Sequence, residues 1–371
     1  MTPRTGFFFD ERCLWHAGGN YAATLPLGGL VQPMAAGGLP ESPETKRRLK
    51  NLMDVTGLTR ELSVRSAPEA DEAALARVHP GEYLREFKEL SDAGGGEIGL
   101  RAPFARGGYE IAALSAGLVV GAATAVLRGD LTNAYALSRP PGHHCLPDFP
   151  NGFCLLANIA IAIRAVQAAG LARRVAVIDW DVHHGNGTEA IFYDDPDVLT
   201  VSIHQERNYP LDTGAAADRG AGAGMGANMN IPLPPGAGHA SYVEAFERLV
   251  APAVRAHAPE IIVVACGYDA GALDPLGRML ATAETFRDMT RMSRALADDL
   301  CAGRLVLAHE GGYNEVHVPF CGHAVIEALS DAQARAPDPL ADTLEARQPP
   351  VRMQQMVSGY LAELEEFFLS S

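Results

Sequence analysis

The chain has 371 residues and carries 30 Lys and Arg against 45 Asp and Glu, a formal net charge of −15. Apolar residues make up 47% of the sequence, which is enough for a sizeable core and argues against disorder as the main state. Because phosphate binding needs clustered cations, the acidic balance argues against a nucleic-acid partner. The length alone permits two or three domains or one large α/β domain.

The N-terminal segment lacks the apolar core of a signal peptide, because charged residues 10–12 directly follow a run of three Phe residues. The most helix-compatible uncharged stretch, Ile111–Leu127, falls short of the ~20 residues that a membrane span needs. We therefore expect a buried helix there and no membrane partner. None of the six cysteines stands in a CxxC pair, which predicts reduced, mostly buried thiols in a cytoplasmic protein.

Short β-rich runs alternate with helical patterns along the chain. The predicted strands are Ala134–Ser138, Arg174–Asp179, Val198–Ile203, Asn228–Ile231, Ile261–Cys266 and Leu305–Ala308. The predicted helices are Gly152–Ala169, His239–His257, Ala283–Cys301 and a last amphipathic one near Met356–Phe368. Small-residue loops are expected at Ala93–Gly96 and Asp212–Gly226. This alternation predicts a mostly parallel sheet covered by helices, with ligand sites at the carboxyl ends of the strands.

Polar clusters follow nearly every predicted strand. They occupy Arg139–His144, Asp179–Gly187, Ser202–His204, Gly267–Asp269 with Asp274–Gly277, and Glu310–Tyr313. Five strand ends that carry His, Asp and Tyr would be hard to explain by stability alone. The clusters therefore predict a functional site.

The segment Asp179-x-Asp181-x-His183 carries the strongest metal signal. Alternate side chains on a strand share a face, so these three are expected to point the same way. Carboxylate and imidazole ligands suit Zn²⁺, and a catalytic zinc uses three protein ligands and one open position. Asp181 and His183 supply two ligands, and Asp269 could supply the third. The competing interpretation is that Asp179 and Asp181 only cap turns.

The pair His143 and His144 follows a stiff Pro-Pro-Gly turn that could fix both imidazoles over a site. Histidine is the usual acid or base at neutral pH, and Asp179 and Asn186 are the natural partners to orient the two rings. Tyr313 follows two glycines and could donate a hydrogen bond to a developing oxyanion. The competing interpretations are a surface histidine pair and a tyrosine that serves only packing.

The segments PPGHH, GFC, DWDVHHGNGT, GYDAGALDPLG and EGGYN resemble those of the zinc-dependent histone deacetylase family. That family includes acetylpolyamine amidohydrolases and bacterial histone-deacetylase-like amidohydrolases. Asn186 and the DPLG segment resemble its class II branch. The resemblance runs from about Phe7 to about Glu327, and residues 336–371 form a C-terminal extension outside the motifs.

The resemblance implies an arginase/deacetylase-type fold, a single α/β domain over residues 1–371 with an eight-stranded parallel sheet flanked by helices. It implies one catalytic Zn²⁺ on Asp181, His183 and Asp269, which polarises an amide carbonyl and activates the attacking water. It further implies proton transfer and oxyanion stabilisation by catalytic residues His143, His144, Asp179, Asn186 and Tyr313.

By the same resemblance, one or two structural K⁺ ions are expected. The first site would use Asp179, Asp181, His183, Ser202 and the carbonyl of Ile203; the second would use Phe192, Asp195 and Val198. The substrate tunnel would involve Gly152, Phe153, Tyr209, Leu276 and Gly311. Family members often have Phe where this chain has Tyr209, so a phenol stands near the tunnel mouth. Loops 93–108 and 209–226 are expected to shape the entrance.

The leading functional prediction is an amide hydrolase that removes acyl groups from amines. Its substrate could be acetyl-lysine, an acylated polyamine or another small amide. A binuclear Mn²⁺ ureohydrolase and a non-catalytic acyl-ligand binding protein are the alternatives from other classes. A homo-oligomer is compatible with the sequence.

Overall fold

Eight strands run in the same direction and form one parallel sheet in the computed structural model, which describes residues 5–17, 21–26 and 38–369. In chain order they are β1 Gly6–Phe8, β2 Ser63–Arg65, β3 Asn133–Ala136, β4 Val175–Asp179, β5 Val198–Gln205, β6 Asn228–Leu233, β7 Ile261–Cys266 and β8 Leu305–His309. Their spatial order is β6-β5-β4-β7-β8-β3-β1-β2, and every adjacent pair is parallel. The predicted fold class is confirmed.

Twelve α-helices occur in the described part of the chain, and most of them cover the two faces of the sheet. They are α1 Glu44–Thr56, α2 Glu72–Leu75, α3 Gly81–Ala93, α4 Gly108–Leu127, α5 Asn158–Ala168, α6 Asn186–Phe192, α7 His239–Ala245, α8 Ala251–His257, α9 Ala283–Cys301, α10 Val318–Ser330, α11 Ala341–Glu345 and α12 Val351–Leu369. A π-helical turn at Phe246–Val250 joins α7 to α8, so the predicted helix His239–His257 is continuous.

The continuous apolar strand β7 shows why the sheet is buried on both sides. Ile262, Val264 and Cys266 join the hydrophobic cluster that includes α9 and α10. The intervening residues 261, 263 and 265 join the opposite cluster, which includes α4 and α5. Since side chains alternate along a strand, an unbroken apolar run buries both faces of a parallel sheet.

Some predicted boundaries are wrong. The predicted helix Gly152–Ala169 begins only at Asn158, because Gly152 and Phe153 have φ of 51° and 71° and cannot continue a right-handed helix. Residues Gly95–Glu97 pair with Pro103–Ala105 as a small hairpin, so the expected loop Ala93–Gly96 is partly a strand. The last helix starts five residues earlier than predicted. The three-residue strands β1 and β2 were not predicted.

Helix α4 contains the predicted buried helix Ile111–Leu127. By length and composition it could cross a membrane, but two thirds of its most apolar window, 67%, is buried inside the protein. It packs mainly against α5 and β3. Its apolar composition is therefore explained by a position in the core.

All six cysteines are buried and unpaired, as predicted. Burial raises the pKa of the Cys13 thiol to about 12 and that of Cys301 to about 11. These thiols therefore stay protonated in the folded protein and contribute to packing.

A buried carboxylate on α10 holds two helices and the following segment together. Glu327 accepts hydrogen bonds from His323 Nδ1 at 2.6 Å, from Arg287 of α9 at 2.6 Å and from the backbone N–H of Ala336 at 3.0 Å. Burial opposes its ionisation, but these three donors lower the pKa of Glu327 to about 2.

Replacing Glu327 by Gln is expected to lower the free energy of unfolding by about 3 kcal/mol, because the buried His323 and the partly buried Arg287 lose their charged partner. Urea denaturation measures the change. Since the pKa of Glu327 is depressed, its contribution is complete above about pH 4.5, the ordinary value, and fades as the pH falls towards 2. Arg291→Gln is the control, because its pairs with Glu284 and Asp288 lie at the surface and are worth at most about 1 kcal/mol. Equal destabilisation by both substitutions would contradict this account.

Candidate metal centre and active site

The residues of the candidate site follow four neighbouring strands. β4, β7, β8 and β3 lie side by side in the sheet, and the loop after each of them carries one predicted polar cluster. Because parallel strands end at the same edge, loops that are distant in sequence meet there. The clusters at Arg139–His144, Asp179–Gly187, Gly267–Leu276 and Glu310–Tyr313 therefore converge.

Asp181, His183 and Asp269 form a buried cluster whose ligand atoms all lie within 4.8 Å of one another. His183 Nδ1 lies 3.0 Å from Asp181 Oδ1 and 3.0 Å from Asp269 Oδ2. Asp269 Oδ2 is buried, and apart from this close approach of His183 Nδ1 it has no hydrogen-bond partner among the described residues. A carboxylate oxygen buried in this way is costly unless it binds a cation. The donor set, two carboxylates and one imidazole, fits a divalent metal ion.

Backbone groups hold the two ligand carboxylates in place. The N–H of Gly311 donates to Asp181 Oδ2 at 2.8 Å, and the N–H of Val182 donates to Asp269 Oδ1 at 2.8 Å. A Cβ atom at Gly311 would lie 2.2 Å from Asp269 Oδ2, and one at Gly267 would lie 2.2 Å from Asp181 Oδ2. Both glycines are therefore required so that the backbone can approach the ligands.

The histidine pair stands beside the cluster. His143 Nδ1 donates to Asp179 Oδ2 at 2.9 Å, and His144 Nδ1 donates to Asn186 Oδ1 at 2.8 Å. The two ring centres are 4.0 Å apart. The structure thus brings together both histidines and both of the orienting residues that the sequence suggested.

The two imidazoles have opposite charge preferences. Burial alone would lower the pKa of His143, but Asp181 and Asp179 raise it to about 10. Burial and the neighbouring His143 and His183 lower the pKa of His144 well below its ordinary value. These surroundings favour the charged form of His143 and the neutral form of His144.

Two buried groups fix the turn that carries the histidines. Glu310 Oε2 accepts the N–H of Gly142 at 2.7 Å and that of His143 at 3.1 Å. At the other end of the turn, Arg139 donates to Glu41 at 2.9 Å and also to two backbone carbonyls near the N-terminus. The positions of the imidazoles are therefore set by buried polar groups at both ends of the turn.

A cavity of about 180 Å³ opens onto His144 of the histidine pair and His183 of the metal cluster. Its walls are Thr24, Arg101, His144, Gly152, Phe153, His183, Asn208, Tyr209, Leu276 and Tyr313. Four of the five predicted tunnel residues line it. Gly311 does not belong to this wall and lies instead against the ligand carboxylates. A larger groove, about 610 Å³, lies beneath the end of α12 and shares no residue with this cavity.

Tyr313 forms one side of the cavity and packs edge-on against Phe153, with ring centres 5.7 Å apart. Its backbone N–H donates to Asp274 Oδ2 at 2.7 Å, and Asp274 Oδ1 accepts the N–H of Leu276 at 2.9 Å. Burial and the nearby Asp269 raise the pKa of Tyr313 well above its ordinary value. The phenol is therefore a permanent hydrogen-bond donor.

The residues of the first expected K⁺ site lie on β4 and β5 and in the loop after β4. Asp179 pairs in register with Ser202, whose hydroxyl contacts His204 Nδ1 at 2.9 Å. Ile203 is fully buried on the same strand. The second expected set lies in one short loop, where the carbonyl of Phe192 accepts the N–H of Asp195 at 3.0 Å. The carbonyl of Asp195 accepts the N–H of Val198 at 3.4 Å.

Glu310, Asp274 and Arg101 are among the residues around the site that received no individual role from the sequence. Glu310 and Asp274 lie inside recognised motifs that follow predicted strands, and this location could have indicated that they belong to the site. Arg101 belongs to no motif, and only its location in the expected entrance loop 93–108 pointed to it.

Comparisons with known proteins agree with this geometry. A family model described as the histone deacetylase domain matches residues 39–329. The chain is 56% identical to a histone deacetylase-like amidohydrolase of Pseudomonas aeruginosa, covering 99% of this chain and 97% of that protein. It is 38% identical to a probable deacetylase of Archaeoglobus fulgidus, covering 78% of this chain and 82% of that protein. The solved HDA15 HD domain matches with a TM-score of 0.83 at 32% identity, covering 98% and 96% of the two chains.

The fold, the polar strand ends and these relatives together define a hydrolase that acts on amides. More specifically, the chain belongs to the histone deacetylase family. The resemblance inferred from the sequence motifs is confirmed.

Gly311→Ala is expected to weaken binding of a divalent metal about 10- to 100-fold, because the new methyl group would displace both ligand carboxylates. Equilibrium dialysis with metal analysis measures the change independently of activity. Gly359→Ala is the matched control, since a Cβ atom there meets nothing within 4 Å. Unchanged metal affinity in Gly311→Ala would refute the close approach described here.

Proposed function

We propose that the protein is a zinc-dependent deacetylase or related amidohydrolase that hydrolyses an acylated amine to a carboxylate and a free amine. The observation that carries the proposal is the buried cluster of Asp181, His183 and Asp269, whose His183 lines the same cavity as His144 and Tyr313. Membership in the histone deacetylase family supports it. Acetyl-lysine, acylated polyamines and other small amides are the candidate substrates.

Asp181, His183 and Asp269 would hold Zn²⁺, which when bound polarises the amide carbonyl and acidifies water. His144 is the natural proton acceptor, because its Nδ1 is committed to Asn186 and its Nε2 carries the free lone pair. It can take a proton from the attacking water and return it to the departing amine nitrogen. His143 is paired with Asp179, which favours its charged form, so it would supply positive charge next to His144 as the oxyanion develops.

Tyr313 completes the site by donating its phenolic hydrogen to the oxyanion. Asp274 positions this residue through the Tyr313 backbone N–H. Because the contact strengthens as the carbonyl oxygen gains charge, it favours the transition state over the bound substrate.

The remaining parts of the proposal concern ions, domain extent and location. One or two K⁺ ions would support the loops around Asp179 and Asp195. Residues 1–371 would act as one catalytic domain with a C-terminal extension at 336–371, in the cytoplasm, where the six unpaired thiols would stay reduced. Homo-oligomerisation is compatible with this function.

A binuclear ureohydrolase would need a second set of carboxylate and imidazole ligands. Within the described residues, Asp181, His183 and Asp269 form the single cluster able to hold a metal ion. His143, His144 and Tyr313 occupy the neighbouring space. This arrangement favours the mononuclear amide hydrolase.

Tyr313→Phe is expected to lower kcat about 10²- to 10³-fold with little change in KM, because the lost hydrogen bond forms mainly in the transition state. Steady-state kinetics on a fluorogenic acyl-lysine amide provides the measurement. Tyr360→Phe on α12 is the control and is expected to behave like the wild type. A KM that rises as much as kcat falls would argue against the oxyanion role.

Chelation is expected to abolish hydrolysis, and about one equivalent of Zn²⁺ per chain is expected to restore it. Metal analysis and activity are measured on the same sample. Two bound manganese ions per chain, or a fully zinc-loaded sample that hydrolyses no acyl-lysine and no acyl-polyamine, would overturn the proposed function.

A further inference from the structure

Arg101 places a positive charge at the cavity wall, one aromatic ring away from the histidine pair. Its guanidinium carbon lies 5.3 Å from the centre of the Tyr209 ring. The His144 ring centre lies 5.1 Å from the same point, on an edge-to-face contact. The charge is therefore close to the reaction site but does not touch the reacting atoms.

The backbone around Arg101 is fastened to the cavity wall. The N–H of Gly152 donates to the carbonyl of Leu100 at 3.0 Å, and the N–H of Phe153 donates to the carbonyl of Arg101 at 2.8 Å. Arg101 has a φ of 56°, a left-handed conformation that side chains other than Gly and Asn seldom adopt. Such a backbone conformation persists only when the surrounding structure holds it in place. The hydrogen bonds to the cavity wall therefore fix the position of the Arg101 backbone from which the side chain extends.

Two other polar side chains at the wall have protein partners, whereas the Arg101 guanidinium has no hydrogen-bond partner among the described residues. Tyr209 donates its hydroxyl to Asn151, and Asn208 donates to the carbonyl of Leu276 at 3.1 Å. In the part of the chain that the structure describes, Arg101 makes no side-chain hydrogen bond or ion pair. Its guanidinium lies over the Tyr209 ring, and its charge also acts on the phenols of Tyr209 and Tyr21. A guanidinium offers five donors in a planar fork that matches a carboxylate. The wall thus carries an unused anion-binding group.

We propose that Arg101 binds a carboxylate at the far end of the substrate, so that the preferred substrates are acylated amines whose aliphatic stem ends in a carboxylate. This inference rests on the proposed amide hydrolysis and names its substrate class. The stem between the two groups would be about as long as the four-carbon side chain of lysine. A free acyl-amino acid and an acidic peptide both supply the carboxylate.

Acylated polyamines are disfavoured by the same contact, because they would bring a second cation against Arg101. The net charge of −15 attracts cations from a distance. Exposed charges further than about 8 Å are largely screened at physiological salt, so the local contact at the wall decides the preference.

A matched series of three substrates tests the proposal: N-acetyl aminohexanoate, its primary amide, and N-acetyl diaminohexane, each acylated at the terminal nitrogen. The wild type is expected to prefer the carboxylate to the neutral amide about 10- to 100-fold in kcat/KM, because a hydrogen-bonded pair of opposite charges stabilises the complex by that amount. The diamine derivative is expected to be the poorest of the three. The preference is expected to lie in KM and to weaken at high salt.

Arg101→Gln is expected to remove most of the preference for the carboxylate substrate. Arg101→Glu is expected to give the diamine derivative a higher kcat/KM than the carboxylate substrate. Arg106→Gln controls for the change in net charge, because Arg106 lies five residues away outside the cavity wall and donates to the carbonyl of Asp92. It is expected to keep the wild-type preference. Free acyl-lysine and an acyl-lysine peptide with a neighbouring Asp distinguish the two sources of the carboxylate.

Two different failures are separable. Equal kcat/KM for the carboxylate and the neutral amide, or an unchanged ratio in Arg101→Gln, would overturn the role of Arg101 and leave amide hydrolysis intact. Failure of the zinc-loaded wild type to hydrolyse any member of the series or any acyl-lysine peptide would overturn the proposed function, and this inference with it.

Discussion

Mutual repulsion among buried carboxylates is the constraint on which the rest of the site depends. Asp179, Asp181 and Asp269 all lie at the carboxyl edge of the sheet with almost no exposure to solvent. Burial raises the pKa of Asp269 to about 6. Burial also opposes ionisation of Asp181, but the neighbouring His143 and His183 lower its pKa overall. A divalent cation, an imidazolium and aimed backbone N–H groups are the partners that such a charge cluster requires. The proposed amide hydrolase uses the same three kinds of group.

The parallel sheet brings the groups that the buried carboxylates require to one edge, next to a cavity. The groups for the reaction and the wall of the cavity come from different segments. The loops after β4, β7, β8 and β3 supply the candidate metal ligands and the proposed catalytic groups, because these four strands are neighbours. The cavity wall comes partly from elsewhere, since Arg101 and Thr24 belong to segments that precede all four strands. Chemistry and substrate choice are thus carried by different parts of the chain.

The sequence alone predicted the chemistry better than the geometry. Asp181 and His183 could be paired because side chains alternate on a strand, and the motifs indicated the family. The order of the strands could not be read from the chain, since β7 lies between β4 and β8 although β5 and β6 come before it. The helix pattern from Gly152 was misleading, because two residues with positive φ bend the chain into the cavity wall. Arg101 has no motif, and its position depends on hydrogen bonds between segments fifty residues apart.

The buried, unpaired thiols have a practical consequence for studying how the molecule moves. Thiol reagents attack the thiolate, and burial keeps these cysteines out of contact with solvent. They are spread from the N-terminal segment to α10, on both faces of the sheet. The rate at which each thiol becomes labelled therefore reports how often its own region opens. The natural sequence thus carries six internal probes of local unfolding that require no engineering.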